Sequence, residues 1–260
     1  MTAKIIDGNK VAEQIRAEVA REVAELKEKT GITPGLSVVL VGDNPASATY
    51  VRNKGKAAEE VGAFSDTIRM PATTTQAELL EVVHRLNNDP KVHGILVQLP
   101  LPKQIEERAV TLAINPEKDV DGFHPMNIGR LVEGETPFTP CTPAGIQELL
   151  VRYGYDPAGK HVVVCGRSNI VGKPIANMLM QKKAGANATV TICHTGTKDI
   201  AHYTREADII IAAVGAPKAI TADMVKPGVV VIDVGINRIT DPSTKSGFRL
   251  VGDVDFGPVS

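Results

Sequence analysis

VVVCGRSNIVGKP, Val162 to Pro174, decides how the second half of this chain folds. Three valines and a cysteine make an apolar, β-branched run of buried-strand length. The run empties into Gly166, and a helix leaves near Gly172. A strand, a glycine turn and a helix in that order form a phosphate site. Gly166 allows the sharp turn, Gly172 allows helix and strand to pack closely, and N–H groups at the helix start face whatever lies over the turn. The spacing from Gly166 to Gly172, filled by Arg167 and Ser168, is not G-x-G-x-x-G. On these residues alone an ordinary strand–turn–helix connection stays open.

The next strand, ATVTIC (Ala188 to Cys193), sharpens the reading. At the end of this second strand an NAD site places an acidic residue against the ribose 2′-hydroxyl. Here the chain runs Cys193, His194, Thr195, Gly196, Thr197, Lys198, with no carboxylate to repel a 2′-phosphate. Arg167 is a guanidinium in reach of such a phosphate. The expectation is NADP rather than NAD. A solvated loop charge is the other reading of Arg167, and a surface histidine the other reading of His194. Two further strands in this half also end in small-residue turns. ADIIIAAVGAP (Ala207 to Pro217) turns at Gly215, and VVVIDVGIN (Val229 to Asn237) turns at Gly235. Open parallel sheets bind ligands at that edge.

Composition bounds the rest. The 260 residues suffice for one large or two modest domains, and 43% are hydrophobic with no Trp. Such a core is built from Val, Ile, Leu and Ala, which suits buried parallel strands. A formal net charge of −1 offers nothing to nucleic acid or to an anionic membrane. Cys141, Cys165 and Cys193 are scattered without metal spacing, and no apolar signal segment follows Met1. The expectation is a cytoplasmic protein with no membrane span and no metal.

The first half also alternates strands and helices. Val11, Ile15, Val19, Val23 and Leu26 mark a helix from about Asn9 to Lys29. Leu36 to Gly42 reads as a buried strand, Ser47 to Val61 as a helix and Phe64 to Met70 as a strand. Thr75 caps a third helix, Gly94 to Pro102 is a strand broken at its prolines, and Gln104 to Ile114 is a weaker helix. Asn115 to Thr142 reads as a loop-rich connection, and Thr142-Pro143 opens a helix to Val151. The predicted architecture is α/β with two lobes: a substrate lobe over residues 1–140, and a Rossmann-like doubly wound parallel sheet over 141–260, with a cleft between them.

Chemistry-bearing residues gather in the first half. Tyr50 and Lys54 lie four apart on a helix that starts at a strand's C-terminal edge, so they share a face, and Lys56 lies off it. Such a pair can hold a flat substrate and move a proton, or be a solvated lysine beside a packed tyrosine. Gln98 ends an apolar strand, can hydrogen-bond and orient Lys54, and is followed by Leu99-Pro100-Leu101-Pro102. A strand-end amide satisfied by local backbone is the other reading. KDVDGFHP (Lys118 to Pro125) sets Asp119 and Asp121 in a loop. A carboxylate there can accept paired N–H bonds from a pterin-like heterocycle, or simply form a turn. Without further ligands, a metal is rejected.

ASATYVRNKGKAAEEVG, GILVQLPLP, KDVDGFHPMNIGRL, CTPAGI, VVVCGRSNIVGKP and VVVIDVGINR, taken in order and spacing, resemble the bifunctional methylenetetrahydrofolate dehydrogenase/methenyltetrahydrofolate cyclohydrolase family, FolD-like. The resemblance spans about residue 4 to residue 256. It implies NADP-dependent oxidation of 5,10-methylenetetrahydrofolate and hydrolysis of the methenyl product to 10-formyltetrahydrofolate. It implies Lys54 as the hydrolytic residue, tuned by Gln98, with Tyr50 stacking on the folate, Asp121 anchoring the pterin, and Ser47 and Pro100 in the substrate site. For the cofactor it implies Gly166, Arg167, Ser168, Thr195, Gly215 and Ile236, and for assembly a homodimer through the cofactor lobes. The family continues beyond GDVDF into a PGGVGP-type loop and a return helix, whereas this sequence stops at Gly257-Pro258-Val259-Ser260. The rival expectations are another NADP oxidoreductase on the same plan and a non-catalytic dinucleotide-binding paralogue.

Overall fold

The computed structural model describes residues 3–244 and 247–260. The chain forms two compact units: one of Asp7–Arg130 with Thr136–Thr139, the other of residues 3–6, Leu131–Glu135 and Pro140–Ser260.

The first unit runs α1 (Gly8–Thr30), β1 (Gly35–Val41), α2 (Pro45–Glu60), β2 (Phe64–Met70), α3 (Gln76–Asn88), β3 (Gly94–Val97), α4 (Glu107–Ala113) and most of α5 (Pro125–Glu133). Its three strands are parallel in the order β2-β1-β3. β1 is central, so its run GLSVVLV is buried on both faces, as an apolar run without alternation requires. Val39 and Val41 pack with Leu79, Val83 and Leu86 of α3, while Val38 and Leu40 pack with Val51 of α2 on the opposite face. α3 starts in a capping box. Thr75 Oγ1 accepts from the Glu78 amide, and Glu78 accepts in return from the Thr75 amide. Such a cap is worth about 1 kcal/mol.

The second unit runs α6 (Cys141–Arg152), β4 (His161–Cys165), α7 (Gly172–Met180), β5 (Thr189–Cys193), α8 (Ile200–Glu206), β6 (Ile209–Ala212), β7 (Val230–Asp233), β8 (Asn237–Thr240), β9 (Phe248–Val251) and α9 (Phe256–Val259). Four parallel strands lie in the order β5-β4-β6-β7. Alternate residues of one strand serve opposite cores. Val162 and Val164 pack with Ile146 and Leu150 of α6 and Ile175 and Leu179 of α7, whereas Val163 and Cys165 pack with Cys193, Ile210 and Ile220. This is the doubly wound arrangement. The order steps outward in both directions from between β4 and β6, and ligands bind such sheets at that reversal.

Several sequence expectations need correction. The strand predicted to reach Pro102 ends at Val97: the Gln98 amide makes the last bond to β1, the prolines that follow have no N–H to continue the ladder, and the Leu99–Pro100 peptide is cis. The loop-rich connection contains a 3₁₀ turn, Pro116–Lys118, and the whole of α5. α6 begins at Cys141 with no side-chain cap, so Thr142 lies inside its first turn. The antiparallel pair β8–β9 was not predicted.

Candidate functional site

In the first unit the candidate residues stand where strands end. Gly42 turns the chain out of β1 with φ +85. Asn44 then caps α2, its side chain accepting from the amides of Ala46 and Ser47, and Pro45 fills the first helical position. Ser47 is buried in the first turn, Tyr50 is half exposed on the next, and Lys54 follows one turn later. The Gln98 amide donates to the Val39 carbonyl at 2.9 Å, which ties the end of β3 to β1. Its side-chain Nε2 donates to the Leu99 carbonyl at 2.8 Å. That bond turns Oε1 toward α2, where Lys54 Nζ donates to it at 3.3 Å. An acceptor without formal charge thus orients the ammonium and leaves its remaining donors free.

Asp121 belongs to the same group. A single bridge from Ile95 to Asp119 lays the Asp loop beside β3. Asp119 is buried, and its Oδ2 accepts from the His124 amide at 2.8 Å and from Asn127 Nδ2 at 3.0 Å. These bonds fold the loop around Gly122, which has φ +66. Burial pushes the Asp121 carboxyl above its ordinary range; the Lys54 ammonium pulls it down, and the Asp119 charge pushes it up. Asp121 also lines a small, largely apolar recess with Val97, Leu99, Val110 and Phe123. A desolvated carboxylate at such a wall gains by accepting N–H bonds from a flat heterocycle. Pro100 is exposed beside this strand end. Asp119 and Asn127 are supports that sequence reasoning did not assign. Asp119 was read with Asp121 as a heterocycle-binding or turn-forming carboxylate, and among the described residues no metal-ligating cluster exists.

In the second unit the turn after β4 is tight. Gly166 has φ +137, and a Cβ there would collide with the Ala213 carbonyl, while one at Gly172 would collide with the Gly166 carbonyl. Both positions therefore admit only glycine. Ser168 Oγ accepts from the amides of Val171 and Gly172 at 3.1 and 3.3 Å, and its carbonyl accepts from Lys173. The helix-start amides expected to face a ligand are thus already bonded. The free donors lie one step earlier: among the described residues, the amides of Arg167, Ser168, Asn169 and Ile170 donate to nothing. With the exposed Arg167 and the Ser168 hydroxyl proton, they suit a diphosphate.

At the end of β5, Thr197 Oγ1 accepts from the His194 amide, and His194 Nδ1 accepts from Gly196. Thr195 is left exposed at the tip. The first carboxylate beyond, Asp199, accepts from the His202 amide and so caps α8. Gly215 turns with φ +78 and nothing near its missing Cβ, and Ile236 is 66% exposed after β7. The residues present fit a dinucleotide with an extra phosphate on the ribose.

Residues 6–121 match the model for the tetrahydrofolate dehydrogenase/cyclohydrolase catalytic domain, and residues 140–260 match its NAD(P)-binding domain. The chain belongs to the tetrahydrofolate dehydrogenase/cyclohydrolase family. It is 62% identical over 258 residues to the bifunctional protein FolD of Pelodictyon phaeoclathratiforme, covering 98% of this chain and 88% of that protein. The crystal structure of the bifunctional FolD of Campylobacter jejuni is 49% identical with a TM-score of 0.91, over 98% of this chain and 87% of that one. The FolD of Trypanosoma brucei, solved with NADP cofactor and an inhibitor, is 42% identical with a TM-score of 0.92, over 100% of this chain and 88% of that one. By membership the chain is a bifunctional methylenetetrahydrofolate dehydrogenase and cyclohydrolase. The match favours this reading over a non-catalytic dinucleotide-binding paralogue.

Proposed function

We propose that the chain uses NADP to oxidise 5,10-methylenetetrahydrofolate and then hydrolyses the methenyl product to 10-formyltetrahydrofolate, with Lys54, Gln98, Tyr50 and Asp121 acting on the folate. Ser47 and Pro100 complete the substrate side. Gly166, Arg167, Ser168, Thr195, Gly215 and Ile236 hold the dinucleotide. The observation that carries this reading is the bond from Lys54 Nζ to Gln98 Oε1, made within electrostatic reach of the half-buried Asp121.

When bound, NADP supplies the acceptor for a hydride leaving the methylene carbon. The departing electron pair leaves a cation shared by the two folate nitrogens, so the first step asks the protein for position and not for a strong base. Tyr50 offers a flat ring for the folate, and Asp121 fixes the pterin through paired N–H bonds. In the second step water adds to the methenyl carbon and gives up a proton, one C–N bond breaks, and the released nitrogen takes a proton. Lys54 is the group placed to carry that proton, and Gln98 keeps its Nζ aimed. Arg167 would pair with the 2′-phosphate, since guanidinium suits phosphate oxygens.

The finer assignments are a homodimer formed through the cofactor unit and a cytoplasmic home. Among the described residues Cys141, Cys165 and Cys193 form no disulfide, in keeping with a reducing compartment. No helix among the described residues is long and apolar enough to cross a membrane.

The test is Lys54→Met. The cyclohydrolase rate should fall by about 10²–10⁴-fold, the usual worth of a positioned proton-transfer group. NADP affinity should stay within about twofold. A hydrolytic rate near that of the wild type removes Lys54 from the reaction. Absence of NADPH absorbance when wild-type protein meets methylenetetrahydrofolate and NADP removes the dehydrogenase.

A further inference from the structure

We propose that Asp253 is a positioning residue for the nucleotide, fixing the turn after β6 so that it presents hydrogen-bond acceptors to the ligand; this rests on the NADP reading above. Asp253 is fully buried just beyond β9. Its Oδ2 accepts from the amides of Val214 at 2.6 Å and Gly215 at 2.9 Å. Its Oδ1 accepts from the Ala216 amide at 3.0 Å and from Asn237 Nδ2 at 2.8 Å. Three successive amides of one exposed turn thus converge on one carboxylate from 37 to 39 residues away.

Successive amides pointing into one space form an anion site. At this turn the protein supplies the anion itself, so the donors are taken and a phosphate finds only repulsion. What remains outward are the carbonyls of Val214, Gly215 and Ala216, which accept no hydrogen bond among the described residues. They suit groups that donate, such as ribose hydroxyls or a carboxamide. The free amides of residues 167–170 take the opposite role. The sheet edge is therefore divided, with one turn for phosphates and one for the uncharged donors of the same nucleotide.

Asp253 is itself fixed. Its amide donates to Asp233 Oδ1 at 2.8 Å, the Gly235 amide donates to the same oxygen at 3.0 Å, and the Val254 amide donates to Asp233 Oδ2 at 3.1 Å. Gly235 and Gly252 pack so closely that a Cβ on either would strike the Asp253 or Asp233 carboxylate. The two carboxylates link the turn after β6, the turn after β7 and the segment after β9.

The experiment compares the whole chain with Asp253→Asn. This isostere keeps one acceptor and sets an NH₂ against the turn's donors. The dissociation constant for NADP, measured by calorimetry, should rise about tenfold or more, the scale of a buried charged hydrogen bond lost. The cyclohydrolase step takes no nucleotide and should stay within about twofold. NADP binding by Asp253→Asn equal to that of the wild type overturns the proposal and leaves the function standing. A wild-type chain that binds no NADP overturns both. Hydrogen exchange on the wild type needs no variant: the amides of Val214, Gly215 and Ala216 should be protected despite their exposure. Exchange at the rate of an open loop overturns the proposal.

Discussion

At the scale of the residue, Asp121 pays in stability for what it does at the site. Its folded pKa is raised above the ordinary aspartate value, with burial as the largest cause. A carboxyl raised in this way favours the folded state fully below the unfolded value. That contribution is lost as pH rises through the folded value, because ionising the group then costs more inside than in water. Asp121→Asn should therefore unfold at a higher urea concentration than wild type at pH 7, with the gain shrinking as pH is lowered toward 3.8. The same variant should lose folate affinity. Urea titrations at both pH values decide it: a variant less stable at pH 7 means that the attraction from Lys54 outweighs burial.

At the scale of the element, β4 and β5 place Cys165 opposite Cys193 in parallel register. Both are buried; burial, and then the charge of Cys193, push the Cys165 thiol up to about 12, while burial raises Cys193. Since only the thiolate reacts, a thiol reagent at pH 8 should label Cys141 alone in the native chain and all three cysteines in urea. Native labelling of all three would mean that these strand ends open. The same elements explain what was readable in advance. Val162 to Cys165 and Leu36 to Gly42 read as buried strands because every residue faces apolar neighbours. The Lys54–Gln98 bond was foreseeable because Gln98 follows β3 directly and Lys54 lies on the helix that leaves β1, the strand beside it. α5 was hidden because Pro125 looks like loop punctuation yet suits a first helical turn. β8 and β9, NRIT and FRLV, carry polar and charged residues and are only partly buried, so no apolar run marks them. The Asp253 clamp was invisible because three of its four donors are backbone amides, which no side-chain pattern marks.

At the scale of the whole molecule, the edge of the second sheet bears on assembly. β5 is an outer strand, paired only with β4 among the described residues, so its other backbone edge is unpaired. Such an edge pairs readily with another chain unless charge or proline blunts it. TVTIC carries neither, and Ile192 is partly exposed on it. Two copies meeting edge to edge across a two-fold axis would satisfy these groups, since one patch then serves both partners. Sedimentation equilibrium at micromolar concentration should then give twice the 27.6 kDa chain mass. Ile192→Lys sets a charge on the strand without disturbing a buried core position, and should shift the mass to that of one chain while the far-UV circular dichroism of the whole chain stays that of the wild type. Cyclohydrolase activity should survive this change, because Lys54, Gln98 and Asp121 all belong to the first unit. A wild-type mass of 27.6 kDa at these concentrations rules out the dimer. A stable dimer that keeps its mass as Ile192→Lys places the interface on another surface.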